Sequence, residues 1–306
     1  MISMKARMMR CFMRNRHLLK GRLKPETVDK NTSIPALREQ TERMAARLGK
    51  QPEGISFEPV VGSPVYAEWV IPERCPQDRM VLYFHGGGFV MGSAVSHRGI
   101  VSGFTKRLGI KALSFDYSLA PEHPAPAAAQ DGAEMYRYVL KLGYQPSRIV
   151  FAGDSAGGGI ALSTLLLLKD EGDPMPGACA LFSPCTDMTL SGESQVTRLK
   201  ADPCTPKGAN ETYLGYYVGG GDPRHPYASP LFGELSGLPP MIIQVGDDET
   251  LRDDSIRFAQ QAQEAGVLVK LHVWNGMFHC FPLLAPMFIE ATQALDESCE
   301  FLRKYV

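Results

Sequence analysis

The chain has 306 residues, 44% of them hydrophobic, and a formal net charge of −1. This length suits an α/β domain with a large core, and the near-zero charge gives no electrostatic case for nucleic acid as a partner. The seven cysteines are odd in number and form no Cys-x-x-Cys pair. Cysteine usage therefore argues against a disulfide framework or structural zinc site and favours a reducing, cytoplasmic compartment.

The amino-terminal stretch is basic, with no acidic residue before Glu26. Apolar residues are interleaved with its charges, which predicts an amphipathic helix. Two interpretations stand: the helix packs its apolar side on the protein, or it forms a mobile flap or a lipid-interface helix. No apolar run reaches the roughly 18 residues that span a bilayer, and no signal-peptide core follows the charges. We therefore expect no stable membrane insertion.

A second helix is predicted over 34–48, with Ser33 as its N-cap and Gly49 just past its end. Strands are predicted over 56–61 and 66–71, joined by a Gly-Ser-Pro turn. A two-stranded pair with so short a connection is antiparallel, so we expect an antiparallel start to the sheet.

From residue 80 onward, apolar strands alternate with helices, as expected of a parallel sheet covered on both faces. The predicted strands span 80–84, 111–115, 148–152, 178–182, 241–245 and 267–274. The predicted helices span 96–108, 126–142, 158–168, 255–265 and 287–304. The segment 187–238 interrupts this alternation and is longer than an ordinary connection between a strand and a helix. The pattern predicts an α/β fold with a mostly parallel eight-stranded sheet, helices on both faces and a cap above its carboxyl edge.

The sequence Gly153-Asp154-Ser155-Ala156-Gly157 lies between a predicted strand and a predicted helix. That context is the one a G-x-S-x-G nucleophile elbow requires, with its serine raised on a tight turn. The helix amino terminus beneath Ser155 favours developing negative charge. The motif alone is also compatible with a glycine-rich turn and an incidental serine.

A second glycine-rich stretch, His85–Gly88, follows directly on a buried strand. It is similar to the oxyanion loop of lipases and esterases, and it lacks the Lys-Ser/Thr ending of a phosphate-binding loop. The predicted oxyanion donors are the backbone N–H groups of Gly87, Gly88 and Ala156. The three residues after the loop are apolar and are expected to shape the substrate pocket: Phe89, Val90 and Met91.

Acyl transfer by a serine also needs a base and an acid that orients the base. In the elbow fold the acid and then the histidine follow the serine along the chain. His279 comes after the last predicted strand and is the predicted base, and Glu249, after the preceding strand, is the predicted acid. Asp248 is the rival for the acid, with Asp253 behind it.

Together these motifs resemble the hormone-sensitive-lipase-like branch of the α/β-hydrolases, the bacterial family IV carboxylesterases. The resemblance covers about residues 80–285 and implies the α/β-hydrolase fold, with residues 1–50 as amino-terminal cap helices. Residues 51–306 would be the catalytic domain, with 187–238 contributing partly to the cap. The chain departs from the family at Ser118, where arginine is usual, and at Glu249, which stands where many relatives have aspartate.

The resemblance and the apolar pocket imply a serine carboxylesterase for small, uncharged esters of short to medium acyl length, with no metal and no cofactor. An amidase, a lactonase or a carbamate hydrolase would use the same triad, because the pocket selects the leaving group. The motifs are also compatible with a catalytically idle ligand-binding member of the fold and with an interfacial lipase. A homodimer is supported by analogy alone. We expect the rate to fall as His279 protonates, on the acid side of about pH 6–7.

Overall fold

The computed structural model describes residues 2–19, 21, 26–48 and 52–306. Within these residues one sheet has eight strands. They are β1 (Ile55–Pro59), β2 (Ala67–Pro72), β3 (Met80–Phe84), β4 (Lys111–Phe115), β5 (Ile149–Asp154), β6 (Ala178–Phe182), β7 (Met241–Gly246) and β8 (Val269–Trp274).

The described residues also contain nine α-helices. They are α1 (Met4–Leu19), α2 (Ile34–Leu48), α3 (Arg98–Leu108), α4 (Ala127–Lys141), α5 (Ser155–Asp170), α6 (Ser194–Thr197), α7 (Ala209–Val218), α8 (Arg252–Glu264) and α9 (Ile289–Leu302). Gly49 and the predicted domain boundary at 50–51 lie outside the described residues, as do the basic residues at 20, 22 and 24.

The strand order is β1-β2-β4-β3-β5-β6-β7-β8. The first two pairings, β1 with β2 and β2 with β4, are antiparallel, and every later pairing is parallel. The carboxyl ends of the parallel strands therefore meet at one edge of the sheet, where the loops of an open α/β sheet bind ligands. This is the α/β-hydrolase fold predicted from the sequence.

The central strands are buried on both faces, which explains their unbroken apolar runs. Every residue of β3, β5, β6 and β7 is buried. Alternate residues of β3 enter different cores: Leu82 and Phe84 pack in one cluster, and Val81 and Tyr83 pack in another. Helices cover both faces, as the period-two alternation of a strand requires.

Four helices begin two or three residues from the predicted start, namely α3 and α9 later than predicted and α5 and α8 earlier. Helix α3 begins at Arg98 rather than residue 96, because Ser93 and Ser96 exchange side-chain and backbone hydrogen bonds in a preceding turn. Helix α8 begins at Arg252 rather than residue 255, with Asp253 in its first turn. An acidic side chain there favours the exposed N–H groups of a helix start.

None of the helices in the described ranges is both long and apolar enough to cross a bilayer.

Candidate active site

Ser155 lies at the turn from β5 into α5, with a backbone φ of 53°. This left-handed conformation is unfavourable for a residue with a side chain and persists where the surroundings enforce it. A Cβ atom on Gly157 would lie 2.2 Å from the carbonyl oxygens of Phe84 and His85. The chains approach so closely that only glycine fits at this position. The turn thereby raises the Ser155 hydroxyl at the carboxyl edge of the sheet.

The side chains of Ser155, His279 and Glu249 come from three loops and form one continuous line of hydrogen bonds, which we call the relay. Ser155 Oγ lies 2.9 Å from His279 Nε2, and His279 Nδ1 lies 2.8 Å from Glu249 Oε2. An ionised carboxylate only accepts hydrogen bonds, so Nδ1–H donates to Glu249 and the free Nε2 accepts from the Ser155 hydroxyl. The second Glu249 oxygen accepts the backbone N–H of Gly246 at 2.9 Å, which fixes the carboxylate against the end of β7.

Glu249 is fully buried, whereas Ser155 and His279 are half-buried at the floor of a cavity. Burial raises the pKa of Glu249, and the neighbouring His279 only partly opposes this. Burial alone would lower the pKa of His279, but the Cys280 sulfur and the Glu249 carboxylate outweigh it and hold that pKa well above its usual 6.5. The Cys280 Sγ lies 3.5 Å from His279 Nε2. The Glu249 carboxylate therefore stabilises a protonated imidazole, which is the state of the ring after it accepts a proton.

The rival acids are occupied elsewhere. Asp248 forms an ion pair with Arg10 of α1 at 2.6 Å. Asp253 accepts the backbone N–H of Ser194 at 2.8 Å. Of the three carboxylates considered from the sequence, Glu249 is the one placed against the histidine ring.

The glycine-rich loop after β3, predicted to be the oxyanion loop, lines the same cavity as Ser155. Gly87 and Gly88 have φ values of 131° and 61°, which residues with side chains rarely adopt. A Cβ on Gly87 would lie 2.0 Å from the Met91 carbonyl oxygen. Among the described residues, neither glycine N–H donates to an intramolecular acceptor. Ala156 is the second residue of α5, where a helical N–H has no partner within the helix.

Asp154 connects the elbow with the oxyanion loop, a role that the sequence motif did not reveal. Its Oδ1 accepts the Tyr83 hydroxyl at 2.7 Å and the Gly86 N–H at 3.1 Å. Burial acts to raise its pKa, but His97, whose Nε2 lies 3.6 Å away, and the Tyr83 hydroxyl hold it below the ordinary value. The buried Asp154 carboxylate thus links the elbow to the loop that carries the predicted oxyanion donors.

A cavity of about 400 Å³ opens over the relay, and its lining surface is mostly apolar. Ser155, His279 and all three predicted oxyanion residues line it. Phe89 and Met91 also line it, as the sequence predicts. Val90 does not take part in the lining: it is fully buried, and its carbonyl oxygen accepts Arg38 Nε at 2.7 Å.

Several cavity residues were not identified from the sequence, because they come from segments distant along the chain from the glycine-rich loop and the elbow. They are Leu37, Gln40, Thr41 and Met44 from α2, and Cys204, Thr205 and Asn210 from the 187–238 segment. Arg38 was missed for the same reason: besides Val90 it donates to the Ala120 carbonyl oxygen at 2.9 Å and pairs with Glu122. These partners are 52 to 84 positions away along the chain, so no local pattern marks the residue.

No cluster of three or more His, Cys, Asp or Glu side chains suited to a metal ion occurs within the part of the chain that the structure describes.

The sequence profile of the α/β-hydrolase fold matches residues 81–283, which contain the oxyanion loop and the whole relay. The chain belongs to the α/β-hydrolase fold family. Within that family, a solved esterase of the bacterial hormone-sensitive lipase family superposes with a TM-score of 0.90 at 37% identity, covering 99% of this chain and 98% of that one. This confirms the resemblance to the hormone-sensitive-lipase-like α/β-hydrolases predicted from the sequence.

Two further similarities concern activity. An acetyl-hydrolase of Streptomyces hygroscopicus is 41% identical to this α/β-hydrolase over 238 residues, which are 78% of this chain and 79% of that protein. The protein EstE5, in a crystal soaked with p-nitrophenyl butyrate, is 38% identical with a TM-score of 0.89 and 99% coverage of both chains.

Proposed function

We propose that this carboxylesterase acts through Ser155 as nucleophile, His279 as general base and Glu249 as the acid that orients the base. One observation carries the proposal: the two hydrogen bonds of 2.9 Å and 2.8 Å that join these side chains in a line. Nucleophile, base and orienting acid stand in hydrogen-bond reach, in the order that activates a serine hydroxyl.

In the acylation step, Ser155 Oγ attacks the ester carbonyl carbon while its proton passes to His279 Nε2. Glu249 stays ionised and stabilises the imidazolium through Nδ1–H. The carbonyl oxygen becomes an oxyanion facing the N–H groups of Gly87, Gly88 and Ala156. Each such donor contributes roughly 3–4 kcal/mol of transition-state stabilisation.

Collapse of the tetrahedral intermediate breaks the bond to the alkoxy group, which leaves as the alcohol with the proton from His279. The acyl group remains on Ser155. A water molecule then gives its proton to Nε2 and attacks the acyl carbon through the same oxyanion site. The second collapse returns the proton to Ser155 Oγ and releases the carboxylic acid.

The substrate class follows from the cavity. Its volume of about 400 Å³ and mostly apolar walls suit an uncharged acyl ester of short to medium length. Phe89 and Met91 supply apolar wall beside the oxyanion loop. The butyrate ester soaked into EstE5 crystals is of this class.

We assign residues 1–50 and part of 187–238 to a cap over the catalytic domain of residues 51–306. Side chains of α2 and α7 line the cavity together. The two cap segments also touch each other: Thr27 and Lys207 form a parallel bridge, and the Val28 N–H donates to the Lys207 carbonyl oxygen at 2.9 Å. A backbone link between such distant segments supports one cap made from both.

A cytoplasmic location is part of the proposal. All seven cysteines are free thiols, including buried ones such as Cys179 and Cys299. Free thiols without disulfides are usual in a reducing compartment.

The test is hydrolysis of p-nitrophenyl esters from the C2 to the C16 acyl chain by the wild type, Ser155→Ala and Ser236→Ala. We expect turnover to peak at a short to medium chain and kcat to fall by about 10⁴-fold or more in Ser155→Ala. Ser236 is an exposed serine outside the cavity lining, so its variant should retain wild-type turnover. Turnover that ignores the loss of the Ser155 hydroxyl would overturn the triad. A best rate at C16 would overturn the substrate class.

A further inference from the structure

Helix α1 exposes an apolar stripe. Met4, Met8, Phe12 and Leu18 are 77%, 66%, 56% and 54% exposed. At 100° per residue these positions fall within one side of the helix. Four large apolar side chains in water on one helix face are unusual for a surface that contacts nothing.

The stripe is not what holds α1 on the protein. The opposite side of the helix does so: Ala6 is fully buried, and Met9 and Met13 pack against a core cluster that includes Phe278 and Phe281. The helix therefore has two apolar sides, one packed against the catalytic domain and one facing outward. The amphipathic-packing interpretation of the sequence accounts for the first side and leaves the second without a partner among the described residues.

The charges of α1 are all of one sign. The helix contains no acidic residue. Arg10 and Arg16 turn inward, toward Asp248 and toward the Pro203 and Cys204 carbonyl oxygens.

Two of the other cations of α1 flank the stripe. On the same angular scale Lys5 lies beyond Phe12 on one edge, and Arg7 lies on the other edge, beyond Leu18. Both are exposed, and neither has an ion-pair partner among the described residues. An apolar centre with basic margins is the pattern of helices that lie in the interface of an anionic bilayer.

The stripe continues beyond the helix. Met4 and Lys5 share a surface groove with Met287 and Ile289, which are 54% and 58% exposed. The outward apolar area therefore belongs to two chain segments held side by side. We call the residues Met4, Met8, Phe12, Leu18, Met287 and Ile289 the outer patch.

We propose that the outer patch docks this protein reversibly on an anionic lipid surface. The apolar side chains would enter the headgroup region, while Lys5 and Arg7 meet lipid phosphates at its margins. Charge favours this occupant over a second copy of the chain, which would bring another set of the same cations to the patch. Docking on a surface requires no membrane-spanning segment. Helix α1 has only 16 residues, and its apolar residues are interleaved with basic ones.

The contacts of α1 indicate how the active-site cavity would be oriented relative to the lipid surface. Arg16 donates to the Cys204 carbonyl oxygen at 3.1 Å, and Cys204 is part of the cavity wall. The inner side of the docked helix thus contacts a residue of the cavity wall. The inference stands apart from the catalytic proposal, because lipid binding does not need a working triad.

The experiment is flotation of the full chain with vesicles of phosphatidylcholine alone or with about 30 mol % phosphatidylglycerol. We expect flotation with the anionic vesicles only, lost at about 0.5 M salt because screening removes the charge attraction. Met8→Ser with Phe12→Ser should lower the partition coefficient by roughly tenfold or more. Lys5→Gln and Arg7→Gln should each lower it about fivefold.

Control variants make the same kind of change outside the outer patch. Val61 and Val196 are 92% and 80% exposed, so Val61→Ser with Val196→Ser removes exposed apolar surface outside the patch. Lys106→Gln removes an exposed cation from α3. These variants should float like the wild type, and all variants should keep wild-type turnover of a soluble p-nitrophenyl ester.

Three outcomes would overturn the inference. The first is no flotation of the wild type with either vesicle. The second is equal flotation of the patch and control variants. The third is a wild-type dimer in sedimentation velocity that Met8→Ser with Phe12→Ser dissociates while vesicle binding is absent, which would assign the patch to a second copy.

Discussion

The catalytic edge of the sheet and the amino-terminal helix α1 are held in place by different means. At the edge, Gly157 and Ser155 are fixed by backbone contacts between adjacent strands and turns. Helix α1 is fixed by side chains that reach across the fold, such as Arg10 to Asp248 and to the Gly276 carbonyl oxygen.

This difference teaches where tolerance to substitution lies. A Cβ atom added to Gly157 would lie 2.2 Å from neighbouring carbonyl oxygens, so any side chain there would force the strands to move. A partly exposed arginine contributes through one or two hydrogen bonds, which solvent and neighbours replace in part. Changes at the edge should therefore abolish function, while changes in α1 should tune it.

The largest effect is expected at the relay acid. Glu249→Gln keeps the side-chain volume but removes the charge that stabilises the imidazolium, so kcat should fall by about 10⁴-fold. Asp248→Asn, the matched change at the neighbouring residue, should cost no more than about tenfold, because that carboxylate pairs with Arg10. Steady-state kinetics on a short p-nitrophenyl ester measure both. A reversed order of the two losses would move the acid to Asp248.

A smaller loss is expected at the oxyanion loop. Gly87→Ala places a methyl group against the Met91 carbonyl oxygen at a φ of 131°, so the loop must shift. Displacing one donor typically lowers kcat by 10²–10³-fold. Gly99→Ala is the control: Gly99 lies in α3 with open space around its Cα, and alanine should stabilise the fold by about 1 kcal/mol. Kinetics and thermal melts of the two variants check this, and near-wild-type kcat in Gly87→Ala would contradict the assigned donor.

The inner side of α1 should tune catalysis. Arg10 contacts Asp248 beside the acid and Gly276 three residues before the histidine. Arg10→Ala should lower kcat roughly tenfold with KM unchanged, since it loosens two loops that must meet.

Arg14→Ala is the matched control for Arg10. Its guanidinium donates to the carbonyl oxygens of Lys200 and Ala201, away from the two catalytic loops, and kcat should stay within about twofold. Arg10→Lys should recover part of the loss by restoring the ion pair. A lower melting temperature with kcat and KM both preserved would mean that Arg10 is only structural.

The smallest change is a displacement of the pH profile. The pKa of His279 is held well above 6.5, and only the neutral ring accepts the Ser155 proton, so activity should rise with pH through a limb above 6.5. Cys280→Ala removes the sulfur near Nε2, and the limb should move to lower pH. In Cys204→Ala it should stay in place, because that sulfur contacts the His279 carbonyl group rather than the ring. An unmoved limb in Cys280→Ala would exclude the sulfur as a cause.

The sequence predicts the catalytic edge well because its requirements are local. The strands β3, β4 and β6 have the bounds that their apolar runs predict, since turn residues and charges delimit each run. The glycines of the elbow and the oxyanion loop stand at positions where a side chain does not fit, so they are visible as a motif.

What the sequence could not predict depends on contacts between distant residues. The sequence favours Glu249 over Asp248 as the partner of His279, but it does not show that Asp248 pairs with Arg10, more than 200 positions earlier. An apolar residue such as Val90 fits a pocket wall and a protein core equally well. The hydrogen bond from Arg38 to the Val90 carbonyl oxygen, which the sequence does not show, helps to hold Val90 in the core. The interleaved apolar and basic residues predict that α1 is amphipathic. Only the burial of Ala6 in the fold defines which side of the helix faces outward.

The Asp154 carboxylate has a further consequence for how this enzyme would fail on warming. It joins the loop of Gly86 to the elbow, so the attacking oxygen and the receptor for the developing anion form one assembly. His279 and the Glu249 carboxylate that orients it lie on separate loops and form a second assembly, which Arg10 of α1 contacts through Asp248 and Gly276. Loosening of the chain would separate the assemblies before it disturbs either of them internally. Turnover should then stop when the 2.9 Å contact between Ser155 and His279 is lost, while the anion receptor is still intact.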